Sequence, residues 1–403
     1  MRAVSVLVLG ISLVLNAVLA CAAESWNTTL GPSKHLPALF LAVDKEIQRA
    51  YFVRTTTAPR LDTEKLRCTT GQRDGDKLRR GDLKTPEGIY FIEEKISSGL
   101  DFTLYGNTAF PLNYPNPIDR IRGKTGSGIW VHGRGTPLDP KLTRGCVAMP
   151  NPVVDTLDQH ITLHQTPVLI AQQLTWTNAT LPASEDIARK TWSWVIAHEQ
   201  AADRLFSLYD PEYMAKSTGM PFAQFMQHQK NKYLSQTWQD VRISPIHILH
   251  GPGYVVSFFT QKIHTATTSI KGWRRLYWVQ RDEQWKIAGE EWVAPHPVPH
   301  EDYVRTVEHE IQEALRKEHL GARRAEPGPM PSNSTHAGQR SADANQDAQG
   351  FGAARYSVRP QMHIALTAQG VEARIPGPNA TTQTHIFLPG PFDSWVLQSG
   401  KEH

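Results

Sequence analysis

From residue 36 to about residue 172 the apolar side chains come in short β-branched and aromatic runs, each stopped by Gly, Pro, Asn or Asp. Leu39-Phe40-Leu41-Ala42-Val43, Ile89-Tyr90-Phe91-Ile92 and Pro167-Val168-Leu169-Ile170 are runs of this kind. Such punctuation constrains the fold more than any other feature of the chain, because it predicts a compact, mostly β domain. The stretch is long enough to bury a core of its own.

One segment in this stretch carries chemistry. Cys146 lies in Thr143-Arg144-Gly145-Cys146-Val147-Ala148-Met149-Pro150-Asn151, and His132 precedes it in Ile129-Trp130-Val131-His132-Gly133. A free thiol has a pKa of about 8.5, so it needs a nearby base to act as a thiolate at neutral pH. Imidazole is the usual partner in acyl transfer through a thioester. Gly145 allows a tight turn that brings the N–H groups of Gly145 and Cys146 close to a developing oxyanion. A lone cysteine in a β-rich protein is more often a small buried hydrophobe. Together, with a glycine beside each, the two residues point to nucleophilic catalysis. The turn then sits on a loop at a strand end, exposing the thiol while a sheet holds it.

Thr175 to Glu185 reads as a polar connector to a second unit, residues 186 to 293. Ile187, Trp192, Trp194, Val195, Ala201, Leu205 and Leu208 suit one or two amphipathic helices, and Tyr209-Asp210-Pro211 ends that pattern. Strand-like runs follow at 246–249, 254–259, 273–279 and 285–287. Trp273, Tyr277, Trp278, Trp285 and Trp292 serve either as core filling or as a stacking surface for sugar rings. No acid–base pair stands out among them. Residues 301–320 carry Val304, Val307, Ile311 and Leu315 on one face and form an amphipathic helix. Residues 321–356, rich in Gly, Pro, Ser, Ala, Asn and Gln, are expected to be a disordered linker. The tail, 357–403, holds a candidate hairpin, Met362–Leu366 with Val371–Ile375, which is marginal if isolated.

The first 23 residues read as an export signal, with Arg2, an apolar core from Val6 to Leu19, and small residues at Ala20-Cys21-Ala22-Ala23. Val18-Leu19-Ala20-Cys21 also resembles a lipobox with lipid on Cys21, although a soluble exported, periplasmic protein fits better. With Cys21 removed or lipidated, Cys68 and Cys146 remain, too few for a disulfide scaffold; Cys68 is expected to be a buried, inert thiol. Lys and Arg number 43 against 39 Asp and Glu, a formal charge of +4 over 403 residues. That is too dilute to argue for nucleic acid, and no nucleic-acid motif is present. There is no P-loop, Rossmann fingerprint or His-Glu-x-x-His motif. His160, His164, His247 and His250 lack ligand spacing, so neither metal nor cofactor is expected.

The His132–Cys146 segment resembles the active-site signature of the L,D-transpeptidase (YkuD) family. Val43-Asp44-Lys45 with Tyr51-Phe52-Val53 is similar to the opening strands of that domain, and Gly81-Asp82-Leu83-Lys84-Thr85-Pro86-Glu87-Gly88-Ile89-Tyr90 to its next segment. Phe110-Pro111-Leu112-Asn113-Tyr114-Pro115-Asn116-Pro117 resembles the subgroup with an extra C-terminal NTF2-like domain. In one respect the chain departs from the pattern: Arg144 stands where many members have His. Phe259-Thr260-Gln261, Arg275 to Val279 and Trp285-Lys286-Ile287 resemble the NTF2-like cone.

The resemblance implies a mainly β YkuD-like catalytic domain over 36–172, then an α+β NTF2-like cone over 186–293. It further implies an exported cysteine acyltransferase acting on peptidoglycan stem peptides between meso-diaminopimelate and D-Ala. Cys146 would be the nucleophile, His132 the base, and the Gly133 carbonyl the group that orients the imidazole. Gly145 and Arg144 would belong to the oxyanion loop. Arg134, like Arg144, would hold stem carboxylates, Asn113 and Tyr114 would line the pocket, and Asn151 would brace the cysteine loop. The main expectation is transfer to an amine, which makes the enzyme an L,D-transpeptidase that remodels the cell wall. Transfer to water makes it an L,D-carboxypeptidase that trims tetrapeptide to tripeptide, as some relatives with the NTF2-like extension do. A non-catalytic wall-binding module is the remaining alternative. A glycan or protein partner for the cone, whose aromatics read first as core filling, is left open, as is a dimer.

Overall fold

The computed structural model describes residues 25–56, 61–182, 184–200, 202–234, 238–325, 362–367, 369–376, 382–390 and 394–402. The expected export signal, 1–23, and most of the expected linker, from 326 onward, lie outside the described residues. The chain divides into two compact units.

In the first unit, β1 (Asn27–Leu30), β2 (Leu39–Asp44), β3 (Arg49–Thr55), β4 (Leu61–Arg67) and β5 (Gly88–Phe91) come before a short helix α1 (Phe102–Tyr105). They are followed by β6 (Ala109–Pro111), α2 (Pro117–Ile121), β7 (Trp130–Arg134), β8 (Val147–Pro150), α3 (Asn151–Asp158), β9 (Pro167–Ala171) and β10 (Gln173–Trp176). A five-stranded sheet runs β4-β3-β2-β9-β5, and a three-stranded one runs β6-β7-β8. Every residue of β9 is buried, because it lies in the middle of its sheet between β2 and β5. Its uninterrupted Pro-Val-Leu-Ile-Ala sequence is what a strand covered on both faces requires. Val43, Phe52, Tyr90, Phe110, Val131, Val147, Met149 and Ile170 belong to one core that joins the two sheets.

Charged side chains sit under the segment from Asp76 to Glu87. Lys45 and Glu87 pair at 2.8 Å with side chains 2% and 1% exposed. Lys124 pairs with Asp76 at 2.6 Å and with Asp119 at 2.8 Å. Asp82 takes Lys77 at 2.8 Å and also accepts the N–H groups of Leu78, Arg79 and Lys84. The Gly81-Asp82-Leu83-Lys84-Thr85 stretch is thus held by buried ion pairs, which fix geometry more surely than they add stability.

The second unit opens with α4 (Glu185–Glu199), a 3₁₀ turn (Asp203–Leu208), α5 (Pro211–Thr218) and α6 (Phe222–Leu234). The helical pattern therefore continues past Tyr209-Asp210-Pro211, against the expectation that it ends there. Asp210 is an N-cap that accepts the N–H of Tyr213 at 2.8 Å, and Pro211 occupies the first turn; both residues start helices as readily as they stop them. A sheet follows, formed by β11 (Asp240–Ile243), β12 (His247–Gly251), β13 (Tyr254–His264), β14 (Ser269–Arg281) and β15 (Gln284–Pro297). Trp194, Phe259, Leu276, Trp278 and Ile287 fill the core between it and the helices. This is the α+β layering expected of the second domain.

Beyond it, α7 runs from His300 to Ala325, entering the stretch expected to be a linker. The expected hairpin is part of an antiparallel meander of β16 (His363–Thr367), β17 (Gly370–Pro376), β18 (Thr382–Gly390) and β19 (Ser394–Glu402). Met362, Val371, Ala373 and Phe387 pack with Trp238 and with Tyr303, Val307 and Ile311 of α7. That shared core gives the strands a buried face that a lone hairpin lacks.

Candidate active site

The parallel pair β7–β8 builds the site. Val131 lies opposite Val147 and His132 opposite Ala148, so the first residue of β8 follows directly on Cys146. The half-buried sulfur sits against the backbone at the start of β7. It donates to the Gly128 carbonyl at 3.5 Å and receives the Trp130 N–H. His132, 2% exposed, is two residues further along the strand, about 6.6 Å at the usual rise. Its Nδ1 lies 2.6 Å from the Gly133 carbonyl. A carbonyl can only accept, so Nδ1 carries the proton and Nε2 of the neutral ring is left as the base. The edge of Tyr105 meets the imidazole at a centroid distance of 5.2 Å. No hydrogen bond joins sulfur and imidazole among the described residues, a gap common in sites that tighten around substrate.

Electrostatics keeps both groups neutral at rest. Burial pulls the imidazole down to about 4, opposed by the hydrogen bond to Gly133 and reinforced by Arg134. Burial raises the Cys146 thiol, against the Trp130 N–H and the charge of Lys77. Cys68, 4% exposed, is pushed up to about 12 by burial, which suits an inert thiol.

The cysteine turn is pinned by Thr143. Its hydroxyl donates to the Cys146 carbonyl at 2.7 Å and accepts the Gly145 N–H at 3.1 Å. Of the two expected oxyanion donors, Gly145 is therefore already committed. The Cys146 N–H has no acceptor among the described residues, so it alone is available. Gly145 adopts φ +133°, and an added Cβ would lie 2.8 Å from the Lys84 carbonyl oxygen. The ion-paired Asp76–Glu87 segment is thus the backing of the cysteine turn.

The other expected residues divide into two groups. Arg144 is exposed on the turn beside Cys146. Arg134, at the end of β7, donates through Nε to Thr136 at 2.8 Å and lines a separate cavity with Asn151. Asn113 and Tyr114 are not pocket residues in this fold. The Asn113 Oδ1 accepts the Phe91 N–H at 2.8 Å, closing the end of β5. Tyr114 is 5% exposed in the core and donates to the Thr125 carbonyl at 3.3 Å. Asn151 braces β7 rather than the cysteine turn: a Cβ on Gly133 or on Gly106 would overlap its Oδ1. Glycine is thus required at 133 for the space above its Cα. Thr143, Lys84 and Tyr105 complete the site. Thr143, three residues before the cysteine, and Lys84, in the Gly81–Tyr90 segment, lie in motifs visible in the sequence, whereas Tyr105 does not. The described residues hold no cluster of side chains suited to a metal.

Residues 40–170 match the L,D-transpeptidase catalytic domain, YkuD. Residues 186–291 match the Cds6 C-terminal NTF2-like domain. The chain carries an L,D-transpeptidase (YkuD) catalytic domain followed by an NTF2-like domain. YafK of Escherichia coli K12, whose name assigns it to the L,D-transpeptidases, is 32% identical over 102 residues, which is 25% of this chain and 37% of YafK. The chain therefore aligns with well under half the length of that curated relative. The structure of Bdellovibrio bacteriovorus Bd1075 superposes with a TM-score of 0.50 at 29% identity, covering 66% of this chain and 94% of that one. The helical cell shape determining protein Pgp2 of Campylobacter jejuni gives a TM-score of 0.47 at 26% identity over 63% of this chain and 91% of Pgp2.

The NTF2-like domain is more polar inside than its sequence suggested. Tyr277 and Trp278 are fully buried core, and Trp273, Trp285 and Trp292 are half-buried. Glu290 accepts the Tyr209 hydroxyl at 2.7 Å and the Gln229 amide at 3.3 Å, and faces Arg274 at 3.5 Å. Arg274 lies 4.8 Å from the centre of the Trp292 ring and 5.1 Å from that of Trp194. Arg274 and Glu290 form an ion pair rather than a catalytic acid–base pair. They lie on adjacent strands, and Arg274 stands opposite Trp292 in the register.

Proposed function

We propose that this chain is an exported cysteine L,D-carboxypeptidase of the bacterial cell wall, which trims the tetrapeptide stem of peptidoglycan to the tripeptide. The observation that carries the reading is an oriented imidazole on β7 and a cysteine directly before its partner strand β8, in a chain that continues into a Cds6-type domain. That pairing of domains favours trimming over crosslinking, because relatives with the NTF2-like extension include trimming enzymes.

In this reading Nε2 of His132 removes the Cys146 proton as sulfur attacks the diaminopimelate carbonyl. The oxyanion is met by the Cys146 N–H, a contact worth about 3 kcal/mol when well placed. The C–N bond breaks, and His132 returns its proton to the departing D-Ala amine. Water, deprotonated by His132, then attacks the thioester; the C–S bond breaks and the thiol is reprotonated. Arg144, exposed beside the nucleophile, holds a carboxylate of the stem. Trp273, Trp285 and Trp292, half-buried in the second domain, are its candidate contacts for a glycan or a protein partner of the wall.

Incubation of the full chain with muropeptides in H₂¹⁸O tests the proposal. Tripeptide carrying one ¹⁸O, with free D-Ala, is the expected product. Crosslinked stems without ¹⁸O would establish transfer to an amine, the second reading, which the match to the L,D-transpeptidase domain favours. Absence of both products, with no adduct on Cys146 from a carbapenem, would leave a wall-binding module.

A further inference from the structure

Where β7 and β8 end, beyond the imidazole, the first unit opens a cavity of about 300 Å³. Its walls include Arg67 at the end of β4, Arg134 at the end of β7, Phe102 of α1, Leu138 and Asn151. Two guanidinium groups face this space, and no carboxylate lines it. Arg134 uses only Nε, toward Thr136 at 2.8 Å, and leaves its two terminal nitrogens without an acceptor among the described residues. Arg67 is exposed, and its side chain has no hydrogen-bond or ion-pair partner among the described residues. Phe102, 55% exposed, adds an apolar wall, and its carbonyl accepts the Gly135 N–H at 3.1 Å, fixing it to the strand end.

Two uncompensated cations in a concave, partly apolar site concentrate positive potential and attract an anion. Their planar forks fit a carboxylate better than they fit a point charge. The position carries the second half of the argument. The sulfur is held at Trp130, and Arg134 is four residues on along the same strand, about 13 Å at about 3.3 Å per residue.

We propose that this cavity is a carboxylate subsite, in which Arg67 and Arg134 together hold a free carboxylate of the peptide that lies on the order of 10 Å from the carbonyl attacked by Cys146. The proposal rests on the peptidase reading above and names which part of an acidic stem is gripped. A stem of L-Ala, D-isoglutamate, meso-diaminopimelate and D-Ala offers two carboxylates at such a spacing, the α-carboxylate of isoglutamate and the side-chain carboxylate of diaminopimelate. Both share the chemistry, and amidation of each in turn separates them.

The test is calorimetric binding of three synthetic tetrapeptides to the full chain bearing Cys146→Ala: the free acid, the isoglutamine form, and the form amidated on the diaminopimelate side chain. One amidation is expected to weaken binding about tenfold or more, and Arg67→Ala to weaken the free acid by a similar factor. In a double-mutant cycle the two losses should not add, because they remove the same contact. Arg67→Lys should recover only part of the loss. The proposal is overturned if Arg67→Ala weakens the matching amidated peptide as much as the free acid, if neither amidation matters, or if the free acid does not bind. Carbapenem acylation of Cys146 in the arginine variants checks that the fold survives. Cleavage is assayed separately on the unmodified chain. Arginine-dependent binding without cleavage would sink the peptidase reading and keep the subsite, whereas cleavage indifferent to both arginines would do the reverse.

Discussion

Gly145→Ala should be among the most damaging small substitutions in the first unit, although it adds one methyl group. Two costs combine. A φ of +133° is a region L-residues rarely occupy, at about 1–3 kcal/mol. The new Cβ would also stand 2.8 Å from the Lys84 carbonyl oxygen and 3.1 Å from Ile129 Cδ1. The carbonyl cannot retreat easily, since the Lys84 N–H is held by Asp82 and the segment by buried ion pairs. Overpacking of this sort adds about 1–3 kcal/mol, so a total loss of about 2–6 kcal/mol is expected. The turn can relieve part of this only by moving Cys146 away from Trp130 and Gly128. Stability by urea denaturation and the rate of carbapenem acylation at Cys146 should therefore fall together. Gly123→Ala is the control, because its φ is +70° and nothing lies within 4 Å of the added methyl; there only the backbone penalty, about 1–2 kcal/mol, should appear, with acylation unchanged. If Gly145→Ala matches Gly123→Ala in both assays, the close approach of Lys84 does not set the turn.

Cys146→Ala should abolish turnover while leaving the urea midpoint unchanged; wild-type product formation by this variant would remove the nucleophile from the mechanism. His132 is held near 4 against an ordinary value of 6.5, so protonation favours the unfolded chain. That penalty is absent above about pH 6.5, grows as pH falls, and levels off below about pH 4 at about 3 kcal/mol. His132→Gln should flatten stability over this window, and an unaltered pH profile would contradict the depressed value. His132→Ala should also shift alkylation of Cys146 to higher pH, as mass spectrometry of the adduct would reveal. Lys124→Met strands Asp76 and Asp119 in the core and should cost about 3–5 kcal/mol by urea titration; a loss below about 1 kcal/mol would show that the carboxylates find other partners.

The strands and the two-domain order were legible because burial leaves a periodic mark in the residues themselves, as the fully apolar β9 illustrates. Cys146, His132 and their glycines were legible for a similar reason, since each demands a specific side chain or none. The backing of the site was not. Lys84 acts through its carbonyl, which every residue has, and the Gly145 N–H is occupied by a threonine that fits an ordinary turn. Asn113 and Tyr114 look like pocket residues in sequence because polar and aromatic side chains near a motif invite that reading. Tertiary pairing instead puts one against Phe91 and the other in the core. Asp210 and Pro211 suit a helix stop and a helix start equally well, an ambiguity that only the hydrogen bond to Tyr213 resolves.

The imidazole stands on β7 and the thiol directly before β8, and the chain between the paired segments, from Gly135 to Cys146, leaves the ladder and returns to it. Registration of β7 against β8, not the path of that excursion, sets the reacting pair. The excursion also supplies part of the arginine-lined cavity. Its outer half, Thr136 to Asp139, is therefore free to change in length and composition while the thiol and imidazole stay in place. Grafting that stretch between relatives should exchange preference for peptide substrates as a cassette. A library randomised there would explore recognition without rebuilding the chemistry.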